Sequence, residues 1–356
     1  MTEKDYLTNN IQIKNNQGNI YYIVFDGMTS LANAEENNII NNKEEIEIEL
    51  KKLNAIYLKN SISNYSSSYL SLASIFSLNY PVKENDKQYK NRFDFFPYMI
   101  THSKKKVLLL DVLRQTNKNT FWVGNNWASC DSGRSSYLIK CNQYKNKYLT
   151  LLLNFYSISP LKKFIGFFTI KSQDLEFISD PETYLNSIKN KNSFFFIHLL
   201  LPHDNLLNNN CEISKNKKET MDLEDYKIQY TCSINKIFEI LKAINKVDNN
   251  EKIIIISGDH GWHLSQHKEN IPDTINGKLN VDKKINFTER SEIFNLIVAP
   301  ERCKQQNDIS SIKSPINNMR FALNCIHGLD LPYLNNKHFI SFYETSKSYG
   351  KVIELK

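Results

Sequence analysis

Asp259 and His260 stand side by side in the stretch SGDHGWH, directly after four consecutive isoleucines, Ile253 to Ile256. A carboxylate beside an imidazole can form half of a metal site, because oxygen and nitrogen donors together suit a divalent cation. The same pair can also exchange protons near neutral pH. Taken alone, the residues from Ser257 to Gly261 read more simply as a polar turn after a buried strand. Three other apolar runs end in a similar way: NIYYIVF runs into Asp26, NTFWVGN reaches Asn125, and FFFIHLLLP reaches His203. Each of these endings is a metal ligand, a hydrogen-bonding group or an acid–base type. One such ending is ordinary; four brought to one place would make a site.

A parallel sheet is the element that would bring them together. A β-branched run such as Ile253 to Ile256 suits a strand buried on both faces. NIYYIVFDG (19–27), NTFWVGNN (119–126), NSFFFIHLLLPHDN (192–205) and EIFNLIVAP (292–300) read as further strands. Helical patterns separate them. The stretch from about 32 to 60 reads as one long helix, and 223–245 carries apolar residues at three-to-four spacing, so it is an amphipathic helix. In SPINNMRFALNCIHG, Ser314 is placed as an N-cap, Pro315 as the first helical residue and Gly328 as a stop. Strands joined by helical crossovers predict an α/β fold, a mainly parallel sheet sandwiched by helices. In such a sheet ligands bind outside the carboxyl ends of the strands, where Asp26, Asn125, His203, Asp259 and His260 all fall.

The 356-residue chain is 41% hydrophobic and 12% aromatic, which is a globular composition. Its net charge of +7 is spread among asparagines and glutamates, so no nucleic-acid partner is implied. No apolar run reaches the length of a membrane span; 194–202 is the longest and already contains His198. The opening MTEKDYLTNN has neither the basic nor the apolar region of a secretory signal, so the chain reads as soluble with no export signal encoded. Six cysteines fall in three neighbouring couples, Cys130 with Cys141, Cys211 with Cys232, and Cys303 with Cys325. None has zinc or redox spacing, which leaves local disulfides or buried thiols.

The ordered series YYIVFDG, NYSSSYLSLASIFSLNY, FIHLLLPHDN, SGDHGWH, ERSEIFNLIVAP and SPINNMRFALN resembles the sulfatase-like branch of the alkaline phosphatase superfamily. That branch includes arylsulfatases, lipoteichoic acid synthases and phosphoethanolamine transferases. The resemblance implies an alkaline-phosphatase-like catalytic domain over 18–335, preceded by a polar segment (1–17) and followed by a C-terminal extension (336–356). Asp26 matches the first metal-binding acid of the family, and Asp259 with His260 the second metal-binding pair. His203 matches the histidine that contacts the oxygens of the transferred group. Ser68 stands where many members have a threonine nucleophile that also ligates the metal. The segment around Ser68 lacks the proline and arginine of the formylglycine signature, so phosphoryl-type transfer through an ordinary hydroxyl fits better than formylglycine chemistry. Membrane helices commonly precede this domain in the family, and none is encoded here.

The expectation is therefore a metal-dependent hydrolase or transferase acting on an anionic phosphate or sulfate ester of an envelope glycan or lipid, outside the cytoplasm. Two carboxylates and an imidazole suit Mn²⁺ or Zn²⁺ and tolerate Mg²⁺ or Ca²⁺. Ser66, Ser67, Thr29 and Ser30 are rival hydroxyls. His263 and His267, with Asp204, are candidates for a second metal site, or they line the mouth of the pocket. Arg290 receives no role. The competing reading is a degenerate module of the same fold that binds glycan or a partner protein without turnover.

Overall fold

The computed structural model describes residues 18–83, 95–101, 107–124, 173–188, 191–214, 221–262, 274–275, 278–279, 287–306, 309–341 and 352–355. Its centre is a six-stranded sheet in the order β2-β8-β5-β1-β4-β3. The strands are β1 (Asn19–Phe25), β2 (Ile56–Tyr57), β3 (Asn119–Val123), β4 (Ser193–Leu199), β5 (Lys252–Gly258) and β8 (Asn295–Val298). The four strands β5, β1, β4 and β3 run parallel, as expected. Towards one edge the sheet turns antiparallel, β8 against β5 and β2 against β8. Two small antiparallel pairs lie apart: β6 (Thr274–Ile275) with β7 (Lys278–Leu279), and β9 (His338–Ser341) with β10 (Val352–Leu355).

Strand alternation sends successive side chains to opposite faces, and each face is covered by its own set of helices. Ile20, Tyr22, Val24, Phe194, Phe196, Ile253 and Ile255 form one core with α3 (Ser68–Ser77), α5 (Leu108–Gln115) and α11 (Pro315–His327). Tyr21, Ile23, Phe25, Phe195, Ile197, Ile254 and Ile256 form the other with α8 (Leu223–Val247) and α7 (Pro181–Ser187). This explains the isoleucine run: Ile253 to Ile256 are all fully buried, alternately into the two cores. Each such side chain is worth about 1.5–3 kcal/mol of transfer free energy. The shorter helices are α1 (Leu31–Glu36), α2 (Lys43–Lys52), α4 (Tyr98–Thr101), α6 (Gln173–Ser179), α9 (Phe287–Ser291) and α10 (Glu301–Gln306). Among the described residues no helix is long and apolar enough to cross a membrane.

The single helix expected over about 32–60 is instead α1, a turn, α2 and the edge strand β2. Asparagines divide it. Asn37 turns its side-chain amide onto the Asn33 carbonyl, and Asn38 and Asn54 take left-handed backbone conformations at φ 56 and 58. Asn side chains compete with helical hydrogen bonding in this way. Helix α8 occupies 223–247, close to its expected span, and its N-cap Asp222 completes a capping box with Asp225. Helix α11 begins at Pro315 after Ser314 and stops at Gly328 in the left-handed region, as expected. Cys211–Cys232 and Cys303–Cys325 are disulfides. The couple Cys130 and Cys141 lies outside the described residues.

Candidate functional site

Sheet register builds the site. Phe25 pairs with Leu199 on one side and Gly258 on the other, so Asp26 and Asp259 leave adjacent parallel strands at the same level. Two amides, those of Gly27 and His260, donate to Asp259 Oδ1 at 3.0 and 2.9 Å and fix the carboxylate. Gly258 and Gly261 let backbone segments close around it. A Cβ at Gly258 would lie 2.4 Å from the Met28 carbonyl, and one at Gly261 2.3 Å from the Glu289 carbonyl.

Asp26, Asp259 and His260 are all buried, with one ligand-type atom from each lying within 4.8 Å of the others. His260 Nδ1 sits 2.9 Å from the Gly261 carbonyl, so it must carry the proton there, and the Nε2 lone pair faces the two acids. Nε2 is 3.6 Å from Asp26 Oδ1 and 3.7 Å from Asp259 Oδ2. Burial holds His260 below its ordinary pKa and so keeps it neutral, as a metal ligand must be. Asp26 Oδ1 and Asp259 Oδ2 have no hydrogen-bond partner among the described residues. Buried carboxylate oxygens left bare are costly without a cation. These donors fit the divalent metal implied by the sequence.

Ser68 reaches the same point from another direction. It is the first residue of α3, half-buried, and its Oγ lies 3.1 Å from His260 Nε2. Helix α3 is fixed at both ends. At its first turn Ser71 donates to the Asp259 carbonyl at 2.5 Å. At its far end the fully buried Arg320 donates through Nε and Nη2 to the Leu78 carbonyl at 3.0 and 2.5 Å, a cation placed against a helix C-terminus. The rival hydroxyls are engaged elsewhere: Thr29 accepts from Asn33, and Ser30 caps α1 and donates to Glu292. Ser66 and Ser67 are buried, Ser67 being the N-cap of α3.

His203 flanks the cluster. Its Nδ1 is 2.8 Å from Asp204 Oδ1, and its ring meets Trp262 edge-on at 5.2 Å. Burial opposes its charge, but Asp26, Asp204 and Asp259 together push its pKa up to about 9. Asp26 responds in kind. Against the cost of burial, His203, His198 and His260 hold its carboxyl well below the usual range. His198 is a participant that the sequence reading passed over as part of an apolar run. It is fully buried, with Nε2 3.3 Å from Asp26 Oδ2. The available signal was parity: Val24 pairs with His198, so a side chain two residues after Val24 points to the same face. Arg290, given no role from sequence, donates from Nε to the Ser66 carbonyl at 2.6 Å, directly ahead of the Ser68 helix. Asn125, His263 and His267 lie outside the described residues. Asp204, the suggested partner of the two histidines, is engaged with His203.

No family model and no curated protein matches the chain. Solved structures do. The C-terminal periplasmic domain of the phosphoethanolamine transferase EptC from Campylobacter jejuni is 16% identical, with a TM-score of 0.51 over 87% of this chain and 89% of that one. The corresponding EptC domain of Escherichia coli, in complex with Zn, is 13% identical with a TM-score of 0.51 over 96% and 95%. A candidate sulfatase from Bacteroides thetaiotaomicron is 12% identical with a TM-score of 0.50 over 90% and 72%. At this level of identity the likeness is one of fold. The chain has the alkaline-phosphatase-like fold of sulfatases and phosphoethanolamine transferase domains.

Proposed function

We propose that the chain is a metal-dependent hydrolase or transferase that acts on phosphate or sulfate esters through Ser68. The observation that carries this reading is the convergence of a helix N-terminal hydroxyl with a neutral imidazole and with two buried acids whose facing oxygens have no hydrogen-bond partner among the described residues. Asp26, Asp259 and His260 would hold a divalent cation together with Ser68. Bound there, the cation supplies the positive charge that lowers the pKa of the serine hydroxyl and offsets the charge of the ester.

The remaining roles belong to the chain. Ser68 Oγ, its proton released to solvent as the hydroxyl ionises, attacks phosphorus or sulfur and forms a covalent phospho- or sulfo-serine as the ester oxygen departs. The positive end of the α3 dipole favours an anion beside that hydroxyl. His203, whose proton the neighbouring carboxylates help to hold against the cost of burial, donates to a non-bridging oxygen or to the leaving group. His198 steadies Asp26. Water or an alcohol then releases the group from Ser68.

The sequence resemblance and the fold support an anionic ester of an envelope glycan or lipid as substrate. The two disulfides support a working site outside the cytoplasm. Thiol labelling of protein from its native host tests that location; free thiols at Cys211, Cys232, Cys303 and Cys325 would argue against it. For the activity, the purified chain supplied in turn with Zn²⁺, Mn²⁺, Mg²⁺ and Ca²⁺ is assayed on 4-nitrophenyl phosphate, a phosphodiester and a sulfate ester. Metal-dependent release of nitrophenol supports the reading. Absence of turnover together with absence of bound metal favours a glycan- or protein-binding module.

A further inference from the structure

The segment from Ser63 to Ser67, which leads into the proposed nucleophile, is held along its length by β9, near the end of the chain. Ser66 N donates to the Phe339 carbonyl and Phe339 N to the Asn64 carbonyl, both at 3.0 Å, so Phe339 of β9 forms an isolated parallel bridge with Tyr65 of this segment. The Phe339 ring stacks on Tyr65 at 5.4 Å and meets Tyr80 edge-on at 5.4 Å. On its neighbour, His338, Nδ1 lies 2.9 Å from the Ser63 carbonyl and 3.1 Å from Ser63 Oγ. A nitrogen facing a carbonyl at that distance carries the proton, so His338 Nδ1–H is a donor to the Ser63 backbone. The ring is 2% exposed, and burial, with Arg290 and His260 nearby, lowers its pKa to about 4, so it stays neutral.

We propose that His338 is a positioning residue for the catalytic site, acting through the Ser63 to Ser67 segment to set the place of Ser68. The observation behind this is a buried side chain on β9 whose Nδ1 grips the main chain five residues before the proposed nucleophile. A serine oxygen misplaced by about 1 Å can cost about 100-fold in rate even when binding groups are untouched. The role rests on Ser68 being the nucleophile, but the hold on the segment does not. Two separate readouts follow.

The first is amide hydrogen exchange on the full-length chain, which needs no substrate. His338→Leu removes the donor, whereas His338→Asn restores an N–H close to the position of Nδ1. Expected for the leucine variant is exchange about tenfold faster in peptides covering 62–72, with β1 and β5 unchanged, and near wild-type exchange for asparagine. Should the leucine variant not fold, His338→Gln, which displaces the donor by one bond, is measured in its place. Unchanged exchange in 62–72, or acceleration spread equally over β1 and β5, would overturn the proposal. The second readout is turnover on the ester that the wild type cleaves fastest. A fall in kcat of about 10- to 100-fold with KM and metal content unchanged, rescued by asparagine, is expected. A leucine variant with wild-type kcat would also overturn it. A wild type without turnover counts against the proposed function, while hydrogen exchange still decides the hold on the segment.

Discussion

Ser71 donates its hydroxyl to the main-chain carbonyl of Asp259 at 2.5 Å. That bond ties the first turn of the Ser68 helix to the end of β5, and both partners are buried. Ser68 lies one turn earlier on the same helix, so its distance from His260 depends on this tie. Replacing Ser71 by alanine should cost about 1 kcal/mol in stability and lower kcat about tenfold, with bound metal retained. Urea unfolding and steady-state kinetics measure the two effects. A variant with wild-type kcat would show that the helix is held well enough without the bond.

Asp259→Asn removes a full charge from the proposed metal shell but keeps an oxygen in the same place. Because Gly27 N and His260 N donate to Oδ1, the amide can retain that half of the local structure. Metal affinity should fall by about 10- to 100-fold or more. Elemental analysis of wild type and variant after equal dialysis makes the comparison. Equal metal in the two would remove Asp259 from the ligand set.

His203, the proposed proton donor, should set a limit to activity on the alkaline side. Burial works against its charge, but Asp26, Asp204 and Asp259 raise its pKa from 6.5 to about 9, so the proton donor is present below that value and lost above it. A cation beside Asp26 and Asp259 weakens their pull, which places the fall of activity in the loaded enzyme between about 6.5 and about 9. The side chain is 43% exposed, and solvent screening acts in the same direction. Replacement by glutamine should lower kcat about 100-fold and flatten the alkaline limb. A glutamine variant with the same alkaline limb would assign that titration to another group.

One share of the acid stability comes from a different histidine, away from the metal-ligand cluster. His327 is 1% exposed, and neither ring nitrogen has a hydrogen-bond partner among the described residues. Burial, then the nearby Lys118 ammonium, lowers its pKa to about 3. Lys118 is itself buried and donates to the Gly18 carbonyl and to Asn192. The unfolded chain therefore binds the proton first. Stability is fully present above about 6.5 and declines as pH falls towards 3, by about 2 kcal/mol between about pH 7 and pH 5 from this group. His327→Leu should remove that share of the slope, as read by urea unfolding of metal-free protein. An unchanged slope would contradict the assignment.

The parts of the site that ride on regular strands were legible in the sequence. An apolar run ending in an acid marks a buried strand and its rim, and register then brings Asp26 and Asp259 together. Ser68 entered through the family resemblance, and the structure makes it the first residue of α3. His198 is legible only once β1 and β4 are set in register, because its place beside Asp26 depends on which face of β4 it occupies and not on any local pattern. Arg320 and the Ser71 bond were hidden for a similar reason: their partners are main-chain carbonyls of residues 78 and 259, which carry no side-chain signature. The direction of β8 also escaped, since a short apolar run reads alike in parallel and antiparallel sheets. The helix expected over 32–60 failed because its asparagines bond locally and break it.

The most direct test is the place of covalent attachment. Wild-type chain, loaded with the metal that supports turnover, is quenched during reaction with its fastest ester and mapped by peptide mass spectrometry. Phosphate or sulfate on Ser68 is expected in the wild type, with neither adduct nor turnover in Ser68→Ala and with activity retained in Ser68→Thr. An adduct on Ser66, Ser67, Thr29 or Ser30, or an alanine variant that turns over at the wild-type rate, would contradict the account.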